Sequence, residues 1–455
     1  MCYVAFIILL RGIYEMKEEK QREKFSGSLG FILACVGAAI GLGNVWLFPY
    51  RLGQCGGAAF LIPYFIFVFV LGVAGVVMEM AFGRANGTGS MTGIKKAFKE
   101  KGIKGRKIVS SIPTLGLGAI FLFYAIVVGW VLKYFVISIT GEIGTINPAE
   151  YFNSFAGSPE TIIWHGTAVI LTLIVILLGV TKGIEKINKI IMPCLFMIFI
   201  LLAARSLTLD GASSGVMYLL KPRWELLLNI QTWVMALGQA FFTVSLTGCA
   251  LVTYGSYTDK EVDLVSAAMQ TAIFDTLAAL LAAFIIIPAA FAYGLDPAAG
   301  PSLLFITVPS IFQAMPMGTM LSALFFLGII FASISSCIVM MEGPVEALMS
   351  ETKLNRRKGA ILIAIISFIL AIPMDLSMDL FGSFSDFITI VVTPLGSLIV
   401  AITYFWILNP KDALMEINIG AKKPLGRYYI PLVKYGYTFI TVIVIILGVM
   451  YGGIG

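Results

Sequence analysis

The chain has 455 residues, 59% of them hydrophobic and only 12% charged, with a formal net charge of +6. A soluble domain carries about 25% charged residues, so this chain has too few charges to coat a water-facing surface, and too much apolar surface to stay disordered. Six scattered Cys exclude a disulfide scaffold, and a single histidine, His165, removes most zinc, haem and triad chemistry. The composition is that of a polytopic membrane protein rather than an enzyme, and its positive charge reads as loop charge rather than a nucleic-acid surface.

In chain order, the first ten residues, MCYVAFIILL, are apolar but too short to span and are followed by Arg11. Residues 1–25 are expected to be a cytoplasmic N-terminal segment, with Met16 the natural start and residues 1–15 upstream of it. Eleven apolar segments follow, at 28–52, 57–82, 108–139, 162–181, 187–207, 229–254, 263–294, 317–349, 359–374, 384–408 and 428–452. We call them spans 1–11. Each is near the roughly 20 residues that cross a bilayer as a helix. Helix is the form that satisfies the backbone in lipid, and the alternation of a barrel strand is missing. With the N-terminus inside, 26 of the 31 Lys and Arg face the cytoplasm, which predicts an N-in, C-out protein of the plasma membrane.

Span 1 is a poor helix at its centre. Gly37, Gly41, Gly43 and Asn44 interrupt it, and Pro49 follows; each interior Gly costs about 1 kcal/mol against Ala. Small residues allow close helix packing, and they also mark unwound segments whose free carbonyls and amides line a site. Span 6 is similarly irregular from Gly238 to Gly248, with Gln239, Thr243, Ser245 and Thr247 between. The two lie five helices apart. An odd number of spans per unit inverts the second unit, which predicts a 5+5 inverted repeat: 26–207, then 208–408, with 409–455 forming a loop and span 11. Three acids lie inside spans: Glu79, Asp275 and Glu342. Intramembrane acids are either structural anchors or functional. Ser335 and Ser336 form a hydroxyl pair of the kind a hard cation accepts. His165, beside Trp164, reads as an interfacial aromatic pair.

The runs Gly41-Leu42-Gly43-Asn44-Val45-Trp46, Phe48-Pro49-Tyr50, Gly56-Gly57-Ala58-Ala59-Phe60 and Ile62-Pro63-Tyr64 resemble the neurotransmitter:sodium symporter family. Gly238-Gln239-Ala240-Phe241-Phe242 and Thr253-Tyr254-Gly255-Ser256-Tyr257 support the likeness, which covers the chain from about Ser26 onward. The resemblance implies the leucine-transporter fold of a prokaryotic, eleven-helix member and Na⁺-coupled amino-acid uptake by alternating access. A non-transporting, Na⁺-dependent amino-acid receptor on the same fold would share the binding residues. By motif, the first sodium ion falls to the Ala39 carbonyl, Asn44, Thr243 and Asp275, with the substrate carboxylate completing the shell. The second falls to the carbonyls of Gly37, Ile40 and Ala332 and the hydroxyls of Ser335 and Ser336. Tyr124 and the amides of Leu42 and Gly43 would hold the substrate carboxylate. Ala39, Phe242, Thr243 and Ser245 would receive its ammonium. Ile120, Tyr124, Phe242, Gly248, Ser336 and Met340 would line its side chain.

The chain departs from the family pattern in four places. Asp275 stands where many members have Asn. Its fixed charge can replace the chloride that animal members use, so two Na⁺ and no Cl⁻ are expected. Leu47 stands where the family has a gate arginine, and Arg51, one turn on, is either a displaced gate partner of Asp386 or an ordinary interfacial cation. An inner gate would join Arg22 to Glu351, beside Ser350. Gly248 replaces a large side chain, which favours a bulky apolar or aromatic amino acid.

Overall fold

The computed structural model describes residues 23–295 and 303–451. Residues 1–15 and the expected gate residue Arg22 lie outside them. Nine described helices are long and apolar enough to cross a membrane: Ala58–Asn86, Arg106–Thr140, Glu160–Leu177, Val180–Leu207, Leu264–Ala292, Gly318–Glu351, Arg356–Asp375, Met378–Ile407 and Tyr429–Tyr451. These are spans 2–5 and 7–11. Span 1 makes a tenth as a broken pair, Ser28–Ala39 and Gly43–Gln54, bent by 52°. Span 6 is two helices, Ile230–Thr243 and Ala250–Gly255. Neither half is long enough to cross alone, so length and apolarity account for ten spans rather than the expected eleven.

The breaks have local causes. Ile40 adopts an extended backbone (φ −69°, ψ 116°), which ends the first helix, and the chain re-enters a helix at Gly43 through a π-helical turn. Such wide turns cluster at functional sites. In span 6, Ser245 takes φ 58° and Gly248 φ 72°, so residues 244–249 cannot continue a right-handed helix. Thr247 Oγ1 accepts from the amides of Cys249 (3.2 Å) and Ala250 (3.0 Å) and so caps the second half.

Spans 3 and 8 pack along each other at the centre, and the apolar window of each is 78% buried. The corresponding share is only 28% for span 11, whose remaining apolar face suits lipid. The first half of span 1 lies against spans 5, 7 and 8, and the second half against spans 6 and 7. This packing puts both breaks in the interior.

His165 is not interfacial. It is 1% exposed, and its Nδ1 lies 2.8 Å from Asp375 Oδ2, tying span 4 to the end of span 9. An imidazole and a carboxylate satisfy one another there more fully than either does in lipid. The described cysteines Cys35, Cys55, Cys194, Cys249 and Cys337 are free thiols.

Candidate substrate and ion site

The two breaks face spans 3 and 8 across a small cavity of about 40 Å³. Of the expected substrate residues, Ala39, Leu42, Gly43, Ile120, Tyr124, Phe242, Thr243, Ser245, Ser336 and Met340 all line it. Tyr124 Oη accepts from the Leu42 amide at 3.0 Å, so the N-terminal end of the second half of span 1 lies next to a phenol. Such an end favours an anion. Ser245 Oγ donates to the Ala38 carbonyl at 2.7 Å, joining the two breaks directly.

Gly248 is a correction. It does not line the cavity. A Cβ placed on it would lie 2.1 Å from the Gly396 carbonyl oxygen of span 10, and its φ is +72°. The position is glycine because the break of span 6 meets span 10 backbone to backbone, so it frees no room for a substrate side chain. The cavity wall also includes residues that the sequence did not assign to the substrate: Phe241, Leu246, Thr247 and Thr393. Thr247 carried the available signal, a hydroxyl in an apolar run beside an expected break.

Asn44, Thr243 and Asp275 form one buried cluster. Asn44 Nδ2 donates to Asp275 Oδ1 (2.7 Å), to the Asp275 carbonyl (3.0 Å) and to Thr243 Oγ1 (3.2 Å). Thr243 Oγ1 donates to Asp275 Oδ2 at 2.8 Å, and Asn44 Oδ1 accepts from the Gly41 amide at 2.9 Å. All three side chains are at most 1% exposed. A lone carboxylate in such a place is costly, and a cation is the strongest compensation. Ala39 also lies on the cavity wall.

The second expected set also converges. Ser336 Oγ lies 3.0 Å from the Ile40 carbonyl and 3.4 Å from those of Gly37 and Ala332. Ser335 Oγ donates to the Ala332 carbonyl at 2.7 Å. Five oxygens from spans 1 and 8 therefore meet beside Ile40, where span 1 leaves the helix. This is an all-oxygen donor set of the kind that suits a hard cation.

The remaining acids act as anchors. Glu79 Oε1 accepts from the Gly248 amide (2.9 Å) and Ser397 Oγ (2.6 Å), holding the span 6 break onto span 10. Glu342 accepts from Tyr257 Oη (2.6 Å) and Arg356 Nη2 (2.7 Å).

The expected outer gate does not take its expected form, and the inner one is described only at Glu351, since Arg22 lies outside the described residues. Arg51 is 1% exposed and donates to Gln239 Oε1 at 2.7 Å, while Asp386 is exposed. Among the described residues no ion pair joins them. One turn beyond Leu47, Arg51 meets Gln239 where span 1 packs on span 6. Glu351 pairs with Lys95 and accepts from Thr92 Oγ1 (2.9 Å), both on the short helix Ser90–Glu100.

Paired broken helices around a buried oxygen-rich cavity define a cation-coupled secondary transporter. The Sodium:neurotransmitter symporter family matches residues 22–159 and 156–453. The chain is 33% identical over 429 residues to the sodium-dependent transporter YhdH of Bacillus subtilis, covering 90% of this chain and 94% of that one. A sodium-dependent transporter of Haemophilus influenzae is 32% identical over 380 residues, covering 81% and 83%. The solved structure of MhsT in complex with L-phenylalanine superposes with a TM-score of 0.84 at 34% identity, covering 94% of this chain and 99% of that one. The chain belongs to the sodium:neurotransmitter symporter family; it is a multi-pass, Na⁺-dependent symporter with the leucine-transporter fold.

Proposed function

We propose that the protein imports an amino acid across the plasma membrane with two Na⁺ and without chloride, with its N-terminus in the cytoplasm and its C-terminus outside. The observation that carries this is the buried Asn44–Thr243–Asp275 cluster beside the Leu42 amide and Tyr124 hydroxyl. A zwitterion is stable in an apolar interior only if both charges are met. Its carboxylate sits between the Leu42 and Gly43 amides, Tyr124 and the first Na⁺. Its ammonium faces the carbonyls of Ala39, Phe242 and Thr243, with Ser245. The first Na⁺ takes Ala39, Asn44, Thr243, Asp275 and the substrate carboxylate; the second takes Gly37, Ile40, Ala332, Ser335 and Ser336. The units 26–207 and 208–408 rock about this seat, with 409–455 appended.

The substrate side chain is bulky and apolar or aromatic. Gly248 gives no support for this. Ile120, Phe241, Phe242, Leu246 and Met340 do, together with the L-phenylalanine bound by the similar MhsT. A cavity of about 40 Å³ has room for only a few waters, so entry of an amino acid requires spans 1 and 6 to move against spans 3 and 8. At −100 mV, two Na⁺ gain about 4.6 kcal/mol from the field alone. That sustains roughly a 10³-fold accumulation.

The test is a thermal-shift panel of the twenty amino acids, each in Na⁺ and in K⁺. Stabilisation follows RT ln(1 + [L]/Kd). Bulky apolar or aromatic amino acids are expected to stabilise in Na⁺ and not in K⁺. Equal shifts in both salts, or no shift with any amino acid, would overturn the reading.

A further inference from the structure

The oxygens offered to the second sodium ion come from spans 1 and 8, but a third element touches them. Asn188 of span 5 is fully buried, at 0% exposed. Its Nδ2 donates to the Ile184 carbonyl of its own helix at 2.8 Å. Its Oδ1 has no hydrogen-bond partner among the described residues. A buried acceptor left unpaired is costly, so a bare amide oxygen at this place needs a reason. It lies directly against Gly37: a Cβ there would stand 2.1 Å from Asn188 Oδ1 and 3.0 Å from Ser335 Cβ. The orphan oxygen, the Gly37 backbone and the Ser335 side chain thus crowd one point at the edge of the oxygen cluster. Only a residue without a side chain at 37 allows the approach.

The Ser335 hydroxyl now donates to the Ala332 carbonyl at 2.7 Å. A cation ligated by both oxygens cannot share the space between them with that hydrogen. The hydroxyl must turn its lone pair to the ion and its hydrogen outward, and the hydrogen then needs an acceptor in a dry interior. Asn188 Oδ1 stands beside Ser335 with its acceptor capacity unused. We infer that Asn188 is a positioning residue for the second sodium ion: it receives the Ser335 hydroxyl hydrogen when the ion binds, and so makes span 5 part of the response to occupancy. This rests on the proposed second ion site. It follows the rule that partners behind a ligand set its orientation and affinity.

The test titrates the thermal stability of the purified full-length protein with NaCl, at constant ionic strength made up with choline chloride and without amino acid. Asn188→Ala is expected to raise the half-saturating Na⁺ concentration about tenfold. Asn188→Asp keeps an acceptor oxygen and is expected to return it to the wild-type value or below. Ser335→Ala is also expected to raise it, and Asn188→Ala is expected to add nothing in that background, because the hydrogen to be received is gone. A half-saturating concentration unchanged by Asn188→Ala, or effects of the two substitutions that multiply, would overturn the inference. A purely structural Asn188 would lower the melting temperature without Na⁺ and leave the titration midpoint in place, which also overturns it. A wild type that ignores Na⁺ would instead overturn the symporter reading, and this inference with it.

Discussion

Asp275 places a carboxylate 2.7 Å from Asn44 Nδ2 and 2.8 Å from Thr243 Oγ1, wholly buried between spans 1, 6 and 7. A fixed negative charge there does what a bound anion would do for a cation in the same cluster. Uptake is therefore expected to be equal in chloride and gluconate media. Asp275→Asn keeps the size and removes the charge; it is expected to lower uptake in gluconate at least tenfold, with partial recovery when chloride is restored. Abolition of wild-type uptake in gluconate would contradict this. The residues of this cluster were legible in the sequence because polar side chains inside apolar runs are costly and therefore few. Asn188 was not legible. It sits among polar residues at the start of span 5, and only the packing shows that it is buried with one oxygen bare.

At the scale of the element, the two discontinuous helices are held differently. Span 1 bends by 52° at Ile40 with little loss of chain. Span 6 gives up six residues and is pinned at Gly248, whose amide donates to Glu79 and whose carbonyl accepts from Ser90 Oγ. The existence of both breaks was readable from Gly, Asn and hydroxyl residues at mid-span. The direction of each side chain in the second break was not, because two residues with positive φ rotate everything after them out of helical phase. The family pattern assigns Gly248 to the cavity, but Thr247 lines it instead. Gly248→Ala is expected to destabilise by about 2 kcal/mol or more, from the left-handed backbone and the approach to Gly396. It would appear as a lower melting temperature in Na⁺ and in K⁺ alike. A variant as stable as wild type that only loses affinity for bulky amino acids would restore the pocket-lining role.

On the scale of the whole molecule, spans 3 and 8 form the buried frame and span 11 the most lipid-facing element. The apolar runs and motif residues made the architecture and most of the cavity readable before any coordinates. The long-range pairings were not readable. Arg51 meets Gln239, Glu351 meets Lys95, and His165 meets Asp375. Each is a choice among several reachable partners, decided by which helices pack together rather than by local spacing.

The account stands on coupling between an alkali ion and a zwitterion at the two broken helices. Proteoliposomes carrying the purified protein, energised by an inward Na⁺ gradient and an inside-negative potential, measure it directly. Accumulation of the labelled amino acid that most stabilises the protein is the expected result, together with its collapse when K⁺ replaces external Na⁺. Binding without accumulation, or accumulation indifferent to Na⁺, would contradict it.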